Sequence, residues 1–353
     1  MKTKRIPLTL ITGFLGSGKT TLLNRMLRDP FLAKCAVIIN EFGEVSIDHL
    51  LVEKTTEGII ELANGCICCN LRSDLIDTLI DLSQRMQMGE LKQLNHIIIE
   101  TTGMADPAPI LQTLLSHPLL IQTLPIETVL ATCDTLNTLS ILERYPEIHK
   151  QLALADKIIL TKTDLIDPKT LSNTLLNTLK TINPTAQIID VHSDKWTSSA
   201  LISKILWDEK EKNTQLQQLC SLSHNDHAHH GTIRAFSLDC EEPMDYATIE
   251  AFLDLLKNLY GAKLLRIKAI IALCDDPQRP LVLHSVQTFF HPPIRLPGWP
   301  KGTIKTRFTI IADGVEKEEI QKLFDAFLNK PAIDTADKTA ILDNPLIIPG
   351  IKF

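Results

Sequence analysis

The 353-residue chain is 44% hydrophobic and 22% charged, with 36 Lys and Arg against 42 Asp and Glu for a net charge of −6. That length has room for two domains, each with a core of its own. The acidic balance argues against a nucleic-acid partner, no apolar run approaches the ~18 residues of a membrane span, and eight cysteines are too few for a disulfide scaffold.

The N-terminal MKTKRIPLTLITG has the basic and then apolar look of a secretory leader. Its apolar run leads straight into GFLGSGKT, residues 13–20, so it reads as a core strand over 6–12 entering a phosphate-binding loop. In such a loop the glycines let the backbone curl until successive N–H groups face phosphate oxygens, at the positive end of the next helix. Gly13, Gly16 and Gly18 are the positions where a Cβ would obstruct that approach, and Ser17 and Thr21 complete the nucleotide-binding set. Lys19 is expected to reach the β- and γ-phosphates as a catalytic group, and Thr20 to ligate Mg²⁺. A helix over 20–28 and a strand over 36–40 follow.

NGCICCN then places Cys66, Cys68 and Cys69 in a C-x-C-C array. Thiolates suit Zn²⁺, Co²⁺ or Cu⁺, and three of them leave a tetrahedral site one ligand short, for which His117 and Glu44 are candidates. An exchangeable metal, a structural zinc and a redox pair are all compatible with the spacing. Either metal or redox chemistry places the chain in a reducing compartment, the cytoplasm.

After a helix over 71–87, the strand 97–100 ends in HIIIETTGMADP. Glu100 stands where a carboxylate holds Mg²⁺ or orders the attacking water, as the second catalytic candidate, and Gly103 where a backbone N–H meets the γ-phosphate. Strands over 128–133 and 157–161 come next, the latter running into TKTDL. Lys162 and Asp164 resemble the guanine-reading [N/T]KxD pattern, with Thr161 where Asn is usual. The Asp carboxylate accepts from guanine N1–H and the exocyclic amine, which adenine does not satisfy, while the Lys stem packs along the base. A helix over 170–181 and a strand over 187–191 close an α/β alternation. Runs such as HIIIE and KIIL are continuously apolar, as in parallel strands buried on both faces. The fold expected over 1–212 is therefore a doubly wound, mostly parallel P-loop NTPase domain.

Residues 213–231 are polar and aperiodic, and read as a linker carrying His224, His227, His229 and His230, either a weak metal collector or a solvated stretch. A small α+β domain is expected over 232–331. Its elements are a strand at 232–238, a helix at 246–260, strands near 263–273, 281–289 and 304–311, and a helix near 316–328. Residues 332–353 form an appendage. Cys35, Cys133, Cys220, Cys240 and Cys274 are scattered and read as small core residues.

Taken in order, GFLGSGKTTLLN, INEFGEVSID, NGCICC, IIIETTGMADPAP and TKTDL resemble the CobW/YjiA-type GTPases, a branch of the metal-insertion GTPases. Residues 232–328, with KLLRIKAI and HSVQTFF, are similar to that family's C-terminal domain. The resemblance implies a GTP-hydrolysing, Mg²⁺-using metallochaperone for Zn²⁺ or Co²⁺ that serves a client metalloprotein, with a homodimer as an open alternative. It assigns the metal to Cys66, Cys68 and Cys69, Mg²⁺ to Glu100 beside Gly103, and the first switch segment to residues 40–48. Two other classes remain in competition: a metabolic P-loop kinase with a structural zinc, and a zinc buffer or sensor working through the His-rich linker. The order of phosphate loop, ETTG and TKTD argues against both.

Overall fold

A computed structural model describes residues 5–40, 59–61, 71–90, 94–166, 173–193, 196–202, 232–300 and 304–328. The thiolate motif Cys66, Cys68 and Cys69, the switch stretch 41–48 with Glu44, the His-rich stretch 213–231 and residues 332–353 lie outside the described residues.

The first sheet has seven parallel strands: β1 (Leu8–Gly13), β2 (Cys35–Asn40), β3 (Ile59–Glu61), β4 (His96–Thr101), β5 (Ile126–Asp134), β6 (Lys157–Thr161) and β7 (Gln187–Asp190). They lie in the order β3-β2-β4-β1-β5-β6-β7. β1 and β4 are buried along their whole length, because neighbouring residues serve opposite faces. Leu10, Ile38, Ile97 and Val129 join one core, whereas Ile11, Val37, Ile98 and Leu130 join the other. This is why the strands read as unbroken apolar runs.

Helices α1 (Lys19–Leu27), α2 (Leu71–Gln87), α3 (Ala108–Ser116), α4 (Pro118–Thr123), α5 (Thr138–Leu142), α6 (Pro146–Leu154), α7 (Asn173–Ile182) and α8 (Ser198–Ile202) belong to this sheet. The chain leaves β1 toward β2 on one side and leaves β4 toward β5 on the other. In doubly wound sheets the crevice at such a reversal, beyond the strands' carboxyl ends, is where ligands bind.

A second, antiparallel sheet follows. β8 (Ile233–Cys240), β9 (Leu264–Leu273), β10 (Asp276–Val286), β11 (Phe289–Phe290) and β13 (Thr306–Asp313) lie in the order β11-β10-β9-β13-β8, with β12 (Ile294–Arg295) on β10. Helices Tyr246–Tyr260 and Lys317–Phe327 cover one face, where Phe252, Phe308 and Phe324 meet ring to ring. Asp245 starts the first of these helices by accepting from Ala247 N–H. The other face meets the first domain: Ile233, Leu265, Val286 and Ile311 join the α/β core.

Here β10 begins before the expected 281 and stops at Val286, because Gln287 takes a left-handed φ of 52°. α3, α4 and α6 are short and open on proline, so they carry little helical periodicity to read. Among the described residues no helix is long and apolar enough to cross a membrane.

Candidate nucleotide site

β1 ends on Gly13, and its φ of 143° turns the chain into the loop. A Cβ there would stand 2.2 Å from Thr132 Oγ1, so the close approach of β5 forbids any side chain. Gly16 and Gly18 also have positive φ, 68° and 91°. Ser17 Oγ lies 2.6 Å from Thr132 Oγ1, fixing the loop to β5. Lys19 is buried and donates to the carbonyls of Gly13 (3.0 Å) and Phe14 (3.1 Å), so its ammonium folds back over the loop. Thr20 Oγ1 donates to Glu100 Oε1 at 2.7 Å. Thr21, the next residue on α1, is exposed.

The ETTG turn after β4 lies directly against this loop. A Cβ on Gly103 would sit 2.6 Å from the backbone nitrogen of Leu15, closer than any real contact. Thr101 Oγ1 donates to Thr12 Oγ1 at 3.1 Å, holding the ends of β4 and β1 together. The structure therefore brings Gly13, Ser17, Lys19, Thr20, Glu100 and Gly103 to one crevice at the carboxyl ends of β1 and β4.

The candidate base-reading residues stand beside it. Thr161 donates its hydroxyl to Ser17 O at 2.7 Å and to Cys133 O at 3.2 Å, so the residue at the usual Asn position fastens the phosphate loop. Lys162, with a left-handed φ of 58°, donates to Asp134 Oδ2 at 2.7 Å. Partial burial pushes the Asp134 carboxyl up, but the Lys162 ammonium, the Asn137 amide and the Leu136 N–H outweigh it and hold it below the usual carboxylate range. Asp164 Oδ1 lies 3.0 Å from His192 Nε2, at the end of β7. Lys162 and Asp164 thus flank the loop at the β6 edge, each engaged by a neighbour that the motif does not include.

Thr132, Asp134 and His192 were not singled out from the sequence. Asp134 carried a signal: like Glu100, it is a carboxylate ending an apolar strand. Thr132 and His192 matter through contacts across strands, which no local pattern encodes.

Among the described residues no group of three His, Cys, Asp or Glu side chains is placed to hold a metal ion. Burial pushes the thiols of Cys35 and Cys133 up to about 12, so both behave as small core residues and not as thiolates. His117, at the α3–α4 junction, has a buried Nδ1 with no hydrogen-bond partner among the described residues.

Two families match the chain: "CobW/HypB/UreG, nucleotide-binding domain" over residues 7–190, and "Cobalamin synthesis protein cobW C-terminal domain" over residues 233–328. The zinc chaperone YjiA of Escherichia coli is 33% identical over 326 residues, covering 90% of this chain and 98% of that protein. The zinc chaperone CobW of Pseudomonas aeruginosa is 29% identical over 319 residues, 80% of this chain and 81% of that protein. The crystal structure of Zn(II)-bound YjiA GTPase superposes with a TM-score of 0.68 at 27% identity, over 92% of this chain and 99% of that one.

Proposed function

This chain belongs to the CobW/HypB/UreG family, and from that premise we propose that it hydrolyses GTP to control the capture of zinc and its delivery to a client metalloprotein. The observation that carries the reading is the pairing of Thr20 with Glu100 at the mouth of a glycine-rich loop, over which the Lys19 ammonium is folded. The names of the two relatives, both zinc chaperones, support the choice of metal.

In this reading the phosphates enter over the N-terminus of α1 and accept from the loop N–H groups. Lys19 leaves the carbonyls of Gly13 and Phe14 for the β- and γ-oxygens. A hydroxyl and a carboxylate are the hard oxygens that Mg²⁺ prefers, so Thr20 and Glu100 would hold the ion, whose charge would offset that developing on the phosphates. Gly103 supplies its N–H to the γ-phosphate from the turn pressed on Leu15. Lys162 flanks the base, and Asp164 accepts from guanine N1–H and its amine. Zn²⁺ is the cargo of Cys66, Cys68 and Cys69. The nucleotide would set its affinity by ordering residues 40–48 and the cysteine turn in the GTP state. The shift is bounded by the difference in zinc affinity between the two nucleotide states.

Chelator competition tests it. Zinc is expected to bind at least tenfold tighter with Mg²⁺ and a non-hydrolysable GTP analogue than with GDP, and Cys66→Ser, Cys68→Ser and Cys69→Ser should each remove that difference. Equal affinities in the two states would falsify the switch.

A further inference from the structure

Helix α6 is gripped from two directions. Toward the phosphate loop, the fully buried Gln151 donates through Nε2 to the carbonyls of Gly103 (3.2 Å) and Ala105 (3.0 Å). Its Oε1 is also buried and has no hydrogen-bond partner among the described residues. Lys150 Nζ stands 3.1 Å from Asp106 Oδ2 in the same turn and 3.8 Å from Asp313 Oδ2 on β13 of the second sheet. At the end of the helix, Leu154 O accepts from Arg266 Nη1 of β9 at 2.7 Å, and the other arm of Arg266 bonds Asp156. One short helix therefore holds both the turn that abuts the phosphate-binding loop and the sheet of the second domain.

Two features point past simple packing. Gln151 spends both of its donors on carbonyls of one turn, so any shift of Gly103 toward a γ-phosphate must move or break those bonds. Its buried oxygen, without a partner among the described residues, carries a desolvation cost. It is suited to receive a backbone N–H of the turn once the turn has shifted. A helix is stiff over this length, so a displacement felt at Gln151 reaches Leu154, one turn away, and with it Arg266.

We propose that Gln151 is a positioning residue for GTP hydrolysis, and that α6 is the bar through which the nucleotide state reaches the second domain. The coupling is reciprocal: whatever seats the second domain more firmly on α6 favours the nucleotide state in which that seating is best. The inference rests on the GTPase reading.

The experiment uses the full chain and two variants. Gln151→Glu keeps the shape but sets a carboxylate against two carbonyls, and Lys150→Ala removes both ion pairs of a partly exposed side chain. The readouts are kcat and KM for GTP, the Kd for GDP, and amide hydrogen exchange over residues 233–328 with GTP analogue and with GDP. In the unmodified chain, exchange in β9 and β13 is expected to differ between the two nucleotides. Gln151→Glu should lower kcat at least tenfold, with GDP affinity within threefold, and erase that difference. Lys150→Ala should keep kcat within threefold and at least halve the difference; it decides the matter if Gln151→Glu fails to fold. Identical exchange in both states of the unmodified chain, or both variants keeping its kcat and its difference, overturns the proposal. An unmodified chain with no GTP turnover sinks the GTPase reading instead.

Discussion

Thr161 shows how a departure from the usual base-reading pattern is absorbed by one residue. Its hydroxyl ties β6 to Ser17 O, and removing it strands a carbonyl beneath the phosphate loop. Thr161→Val preserves the shape and should weaken GDP binding about tenfold, from a lost bond of about 1–3 kcal/mol, as measured by titration calorimetry. An affinity within twofold of the parent would show the tether to be dispensable. On the proposed reading Glu100→Gln should cost about a hundredfold or more in GTP turnover while leaving GDP binding nearly intact, since the carboxylate would act chiefly in the transition state. Gly103→Ala is harsher despite adding one methyl group. The 2.6 Å approach to Leu15 must open, so both nucleotide binding and turnover should fall together, in contrast to the split expected at Glu100.

Strand and loop elements were largely legible in the chain, for a physical reason. An apolar run such as HIIIE is a signal because both faces of β4 are buried, and glycine spacing is a signal because Gly13 has no room for a Cβ. What stayed hidden is what depends on partners distant in sequence: Asp134 under Lys162, His192 beside Asp164, Gln151 under the ETTG turn. His96 at the head of β4 is another such case, with its Nε2 2.9 Å from Thr9 Oγ1 of β1. Burial drives its pKa down to about 4 from an ordinary 6.5, so it is neutral in the folded sheet. The unfolded chain takes up a proton between pH 6.5 and 4 that the folded chain refuses. Stability contributed by the neutral ring is therefore complete above that window and falls as pH falls through it, by roughly 3 kcal/mol at most. Urea midpoints at pH 7 and pH 5 should separate the parent from His96→Gln, with the parent losing more on acidification. An equal loss in both would remove His96 from the account of acid sensitivity.

The whole molecule is joined across an ionic seam as well as an apolar one. Lys268 of β9 donates to Thr185 O at 2.9 Å, in the company of Arg266, Asp156 and Lys157. Burial, and then the repulsion of Arg266, push its pKa down to about 7, with Asp156 pulling the other way and Lys157 adding to the fall. Between pH 7 and about 10.5 the unfolded chain carries a proton that the folded one has lost, so stability rises with pH across that window and the penalty is fully present below it. Lys268→Met, of similar length and without a charge, should flatten the rise in thermal midpoint from pH 7 to pH 10. An unchanged slope would assign the dependence to other groups.

The central place of β1 has a consequence for how the protein is made. Its loop leaves the ribosome before the neighbours that complete it, β4 at His96–Thr101 and β5 at Ile126–Asp134. A nascent chain that stops before residue 96 lacks both flanks of β1 together with Glu100 and Thr132, one that stops before residue 126 still lacks Thr132 and the β5 flank, and pairings this distant are slow to form. The phosphate loop therefore lacks its full support until β5 is out, and capture of guanine nucleotide would mark that closure, a ligature of biosynthesis before it is fuel.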